Sequence, residues 1–292
     1  KELPPITTFA IEKGVLDYAE IHDADEKRFT AWLKQLTADG YRPISVSAQL
    51  RDFIPRFTSI AVLEKLQKPW KTAWLANVEK KSAVEGIDVT RQLTDSDFVP
   101  YAQCTFVGEG KLRQLTFWTP KSQSNSMVNF WTGNLRFVTK TNDKNSVWRP
   151  TSRTAVITPT GTWHSSIVVK SDGGLWQEKS NQSLAEIQEC IKTHRASGYR
   201  PDHFHAFGSG AETLFGGILV KEPTPIEWEI SWALTPMRYS DELAARKVRG
   251  FRPHGTIAHD DATGEMVYSV IWIRYRNDAV PPAEPGWVQL FN

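Results

Sequence analysis

In the stretch "SGYRPDHFHAFGSG", residues 197–210, two histidines stand one residue apart within a pattern that reads as a β-strand. Side chains two apart on a strand share a face, roughly 7 Å from one another along the chain. His203 and His205 could therefore share a ligand, a metal ion or a proton-transfer task. A metal centre or a catalytic pair needs one partner more, either a third ligand or a nucleophile set beside the imidazole. His254, His259 and Asp260 follow some fifty residues later and could complete a site, although no spacing fixes them there. Left to themselves, two such histidines act as hydrogen-bonded filling. Cys104 could serve as a nucleophile only with a base that the sequence does not locate, so a buried thiol is its simpler role. Ser-x-x-Lys, Gly-x-Ser-x-Gly, the kinase catalytic loop, the phosphate-binding P-loop and His-Glu-x-x-His are all absent from the sequence.

The chemistry depends on the elements that carry it, and these recur. "DGYRPISVSAQ" at 39–49 reappears as "SGYRPDHFHAF" at 197–207 and "RGFRPHGTIAH" at 249–259, with weaker copies "FVPYAQCTF" at 98–106 and "WRPTSRTAV" at 148–156. The shared prolines, Pro43, Pro100, Pro150, Pro201 and Pro253, are 57, 50, 51 and 52 residues apart. A near-constant step of this kind marks a repeat protein.

Before three of the prolines lies an amphipathic helix. Phe29, Trp32, Leu33 and Leu36 form an apolar stripe in the first copy, Ser183 and Glu186 a capping box in the fourth, and "SDELAARKVRG" carries acid first and base last in the fifth. Gly40, Gly198 and Gly250 suit the left-handed turn that ends each helix. The Arg-Pro step then forces extended backbone, because the residue before proline avoids the helical region. A hairpin follows in every copy, and after it a tryptophan-led strand: "PWKTAWL", "NFWTGNL", "GLWQEKS", "EWEISWAL" and "GWVQLFN". The unit reads as helix–strand–strand–strand five times, over about 22–74, 75–131, 132–176, 177–232 and 233–292, within one repeat domain. Copies two and three are degraded: "VTRQLTDSDF" holds at most a short helix and "TKTNDKNSV" none.

The Gly-Tyr-Arg-Pro segments 40–43 and 198–201, Gly250-Phe251-Arg252-Pro253, "YSVIW" at 268–272 and Trp32 resemble the bacterial tandem repeat of the polyglycine hydrolase-like structural repeat family. The resemblance covers most of 20–276 and is weakest from about 75 to 175. It implies a repeat scaffold, in a family whose repeats accompany a serine-hydrolase-like domain or occur in large, protein-kinase-related chains. It suggests a secreted or extracytoplasmic protein. It does not itself imply an activity.

Composition narrows the rest. The 35 basic and 33 acidic residues give a net charge of +2, which offers nucleic acid no footing, and no apolar run is long enough to span a bilayer. Two cysteines make no disulfide framework. The opening "KELPPITTFA" lacks a methionine, so the chain reads as a segment of a longer multidomain protein.

Repeats that each expose an apolar face must stack, and five of them could close into a propeller-like toroid, sealed by "GVLDYAEI" at the start and "GWVQLFN" at the end. On the first strands, the second and fourth residues after the proline would then gather at the axis. Ser45, Ser47, Cys104, Ser152, Thr154, His203 and His205, with His259, form the candidate axial site. No cofactor or metal is expected there, His203 and His205 being the weak exception. The tryptophans Trp70, Trp131, Trp176, Trp228 and Trp287 read as core, while Trp118, Trp148 and Trp163 could stack on sugar. The leading expectation is a non-catalytic interaction or substrate-presenting module with a protein or peptide partner, or a covalently linked catalytic domain. The alternatives are a hydrolase with a site on the axis and a carbohydrate-binding module.

Overall fold

The structure, a computed structural model, describes residues 7–9, 18–52, 54–63, 69–76, 97–121, 128–133, 148–159, 161–170, 175–221 and 226–275. The expected strand of "GWVQLFN", with Trp287, lies outside these residues, as do the degraded helix segments of copies two and three up to Ser96 and Asn145–Val147. Sixteen strands are described. They are β1 (Thr7–Phe9), β2 (Tyr18–Ala24), β3 (Tyr41–Arg51), β4 (Ile54–Leu63), β5 (Lys71–Ala76), β6 (Phe98–Gly108), β7 (Lys111–Pro120) and β8 (Val128–Gly133), then β9 (Trp148–Thr158), β10 (Gly161–Lys170), β11 (Trp176–Gln182), β12 (Tyr199–Phe207), β13 (Leu214–Lys221), β14 (Ile226–Leu234), β15 (Arg252–Asp260) and β16 (Met266–Tyr275). Three α-helices accompany them: α1 (Glu26–Asp39), α2 (Leu184–Ala196) and α3 (Pro236–Val248).

The strands form five antiparallel sheets in the orders β1-β2-β4-β3, β5-β7-β6, β8-β10-β9, β11-β13-β12 and β14-β16-β15. In each, the second strand of the hairpin lies inside the sheet and pairs with the strand that precedes the hairpin in sequence, which is a tryptophan-led segment in the last four sheets and β2 in the first. The hydrogen-bonded unit is thus strand–helix–hairpin, one strand out of phase with the helix-first order read from the sequence. "GVLDYAEI" contributes β2, which pairs with β1 on one side and β4 on the other. Two compact units divide the chain, residues 1–125 with the first two sheets and 126–292 with the other three.

Each helix is started and stopped by local chemistry. Asp25, Ser183 and Thr235 are the N-caps and accept from the backbone N–H of Arg28, Glu186 and Arg238, satisfying groups the first turn leaves orphaned. The predicted glycines end them: Gly40, Gly198 and Gly250 have φ of 78°, 81° and 78°. The stripe of α1, Phe29, Trp32, Leu33 and Leu36, is buried, which contributes on the order of 1.5–3 kcal/mol per side chain. It packs on both sheets of its unit, since one apolar cluster joins it to Phe57 of β4 and to Phe106, Leu115 and Phe117 of the second sheet. In the same way α2 shares a cluster with Phe204 and Phe215 of its own sheet and Ile257 and Ile271 of the fifth. Helices α1 and α2 are therefore the layer between consecutive sheets of their units.

Every first strand carries the same irregularity. The register shifts directly after the proline, so that Ile44, Tyr101, Thr151, Asp202 and His254 have no partner opposite. Proline lacks an N–H and cannot complete the ladder there, and a β-bulge at that point re-aims the next side chain.

Candidate functional site

The candidates divide between the two units: Ser45, Ser47 and Cys104 lie in the first, and Ser152, Thr154, His203, His205 and His259 in the second. Cys104 is buried in the α1 cluster with Phe29 and Phe117, and burial pushes its thiol far above its ordinary range. Held so, it stays protonated and is no nucleophile at neutral pH. Ser45 and Ser47 are half-buried on β3, where the Ser45 carbonyl accepts from Ser59 Oγ at 2.6 Å. Ile257, the fifth-copy counterpart of Cys104, sits in the α2 cluster. In these two copies the fourth position after the proline is packed against the preceding repeat's helix.

In the fourth copy that position is His205, and the preceding repeat is the third, whose sequence has no helical stripe. A polar layer replaces the apolar one. The third residue after the proline is Val46 in the first copy and Phe204 in the fourth, both in the apolar clusters that include α1 and α2. In copies two and three it is Gln103 and Arg153, both buried. Gln103 Oε1 accepts from Gln114 Nε2 within its own sheet, at 2.8 Å. Arg153 reaches from β9 to pair with Glu178 on β11, both side chains being at least 92% buried.

Glu178, Ile218 and His203 form one row across the fourth sheet, and His205 lies opposite Gly216 two rows on, on the same face. The His203 Nε2–H donates to the Arg153 carbonyl at 2.6 Å. A carbonyl only accepts, so this bond fixes the tautomer. His205 stacks between His203 and Phe207, with ring centroids 6.2 and 5.9 Å away. Its ring lies flat on Gly216, where a Cβ would come within 2.3 Å of Cε1. Neither ring nitrogen of His205 has a hydrogen-bond partner among the described residues. Burial, then the charges of His203, Arg153 and His164, hold it neutral, well below its ordinary pKa. Because the two imidazoles are nearly parallel (29°) and Nε2 of His203 is engaged, their nitrogens do not converge. Among the described residues no three His, Cys, Asp or Glu side chains gather as a metal site.

The strongest electrostatic feature is Asp202, the bulge residue beside His203, which sequence reasoning passed over. Arg200 Nη1 lies 2.8 Å from its Oδ1, Arg149 of the third sheet 3.9 Å from Oδ2, and His254 Nε2 of the fifth sheet 3.8 Å from Oδ1. Burial alone would raise its pKa, but Arg200, the bond to His254 and Arg149 outweigh it and hold the carboxyl well below its usual range. Asp202 thus ties three sheets together. The readable signal was the buried arginine before each of four prolines, Arg42, Arg149, Arg200 and Arg252, which requires a nearby anion or aromatic face. In the first unit Arg42 finds an aromatic one, lying 4.7 Å from the ring centroid of the bulge residue Tyr101.

His254 therefore meets Asp202 and not the His203–His205 pair. His259 is likewise engaged in its own sheet. Its Nδ1–H donates to the Asp260 carbonyl at 3.0 Å, and its Nε2 accepts from Ser269 Oγ at 2.8 Å. The pair has the bonding of a nucleophile and its base, yet Ser269 is 1% exposed and its Oγ already accepts from the Ala233 N–H. Ser152 and Thr154 are buried on β9. Trp118 is 1% exposed in a cluster with Ala73 and Phe98, which removes it as a sugar platform. Trp163 is half-buried, and the side chain of Trp148 lies outside what is described.

Fold and site together define a scaffold of repeated antiparallel sheets of three or four strands, in which Asp202, His203 and Arg153 join one repeat to the next. Two stretches, residues 15–60 and 173–222, match the family described as polyglycine hydrolase-like, structural repeat. Both matches run from a strand through a helix into a hairpin, which is the phase of the hydrogen-bonded sheets.

Proposed function

We propose that the chain is a non-catalytic tandem-repeat module of a larger protein, presenting a protein or peptide partner or supporting a catalytic domain of serine-hydrolase-like or protein-kinase-related type outside these residues. One observation carries the reading: apart from His205, the candidate groups named above are engaged by neighbouring side chains and carbonyls or buried. Asp202 is held by two arginines and a histidine, His203 by a backbone carbonyl, His259 by Ser269, and Cys104 by burial. The family description, a structural repeat, supports the same reading. The five sheets, with β3 beside β6 and β12 between β9 and β15, are further proposed to close into one ring. Small-angle scattering then gives a radius of gyration near that of a compact chain of this length, about 19 Å, while an open array gives a clearly larger value.

The hydrolase alternative rests on His205, whose nitrogens have no hydrogen-bond partner among the described residues. Purified protein incubated with an oligoglycine peptide distinguishes the two readings. Peptide left intact by mass spectrometry supports the module. Cleavage that disappears in His205→Ala overturns it.

A further inference from the structure

We propose that the seam between β9 and the fourth sheet is an acid-sensitive latch, released when His205 takes up a proton. The inference goes beyond the module reading and does not depend on it. Three polar links cross the seam: His203 Nε2–H to the Arg153 carbonyl, Arg149 to Asp202, and Arg153 to Glu178. His205 stands among them, buried, its two nitrogens without a partner among the described residues.

The charges around it are already unbalanced. His205 feels His203 from its own strand, Arg153 from β9 and His164 from β10; beyond them Glu178 of β11 pairs with Arg153, and Asp202, beside His203, with Arg149. β15 adds His254 beyond Asp202, and β13 contributes only the uncharged Gly216 and Ile218. Both carboxylates are engaged, Glu178 by Arg153 and Asp202 by Arg149 and Arg200. Three guanidinium groups thus face two carboxylates. A proton on His205 adds a charge that has no carboxylate of its own, in a layer closed to water where repulsion from the guanidinium groups is weakly screened. With the seam open, the ring reaches solvent and regains an ordinary pKa near 6.5. The opening equilibrium therefore rises by about tenfold for each pH unit below that value.

Hydrogen exchange of the whole chain by mass spectrometry, corrected for the chemical effect of pH on exchange, tests this between about pH 7 and about pH 5. The expected result is that protection over 148–158 and 199–207 falls by at least about tenfold per unit, and more steeply than over 266–275. His205→Phe, which retains a flat ring, removes one proton from that slope, lowering it by about tenfold per unit, while His203 and His164 keep their own contributions. An equal slope in the variant, or equal loss over 266–275, overturns the latch. Should the variant fail to fold, the ring signals of wild-type histidines by NMR decide. His205 staying neutral until the seam peptides lose protection supports the proposal, and His205 titrating near 6.5 while they remain protected refutes it.

Discussion

At the scale of single residues, two backbone positions show how tightly the repeats constrain side-chain type. Gly216 has no room for a methyl group, because a Cβ there would lie 2.3 Å from the His205 ring and 3.0 Å from the Lys179 carbonyl. Gly216→Ala should destabilise the protein by about 1–3 kcal/mol, as overpacking does. Pairing it with His205→Ala should recover part of that loss, so urea denaturation of both single variants and the double should be non-additive. Ala233 is the converse case. Asp23, Asn181 and Ala233 each stand two residues before a helix N-cap with φ near +50°. Aspartate and asparagine tolerate that region, whereas alanine is strained in it. Ala233→Gly should therefore raise stability by about 0.5–1 kcal/mol, read as a higher midpoint in thermal unfolding, and an unchanged or lower midpoint contradicts the strain.

At the scale of elements, what fills the space between sheets follows from whether a repeat supplies a helix. Where α1 and α2 exist the layer is apolar, and in the third copy Arg153 and Glu178 stand in it. A buried ion pair of this kind is weak evidence for stability, since desolvation offsets much of the attraction, yet breaking it leaves a charge stranded. Arg153→Met alone should cost about 3–5 kcal/mol, whereas Arg153→Met with Glu178→Leu should be near neutral or stabilising. Chemical denaturation of the three proteins checks this, and equal losses in the single and double variants would count against it. The sequence made the helices, their caps, the hairpins and the five-fold step legible, because each depends on neighbours within a few residues. The pairing phase was not legible, since an outer strand is equally close in sequence to the hairpins on either side. The site was half legible. His-x-His stood out by type and spacing, but Asp202 acquires its partners from strands some fifty residues away in each direction, and the bulge that brings it to them leaves no mark beyond the proline. Position along a strand suggested an axial site, whereas Cys104 proved to be packed beneath a helix.

At the scale of the whole molecule, acid should act unevenly. The histidines whose pKa burial depresses, His164, His203, His205, His254 and His259, all lie within residues 126–292. Above about pH 6.5 they cost nothing, being neutral folded and unfolded alike. Below it the unfolded chain binds protons the folded one refuses. Stability then falls by up to about 1.4 kcal/mol per pH unit for each fully buried ring. For His164 the window runs down to about 4, where burial and Arg153 place its pKa. Asp202, depressed as a carboxylate, extends the loss in the same direction at lower pH. Limited proteolysis near pH 5 should accordingly cut within 126–292 before 1–125, while first cuts in 1–125 would show that these histidines do not govern acid stability. The bulge after each of the five prolines has a bearing on heredity as well. A strand register set afresh within every copy does not rely on counting from the copies before it. A gene that gains or loses one such segment by unequal crossing-over therefore encodes a chain whose remaining copies keep their alignment, so copy number can drift while each unit is inherited intact.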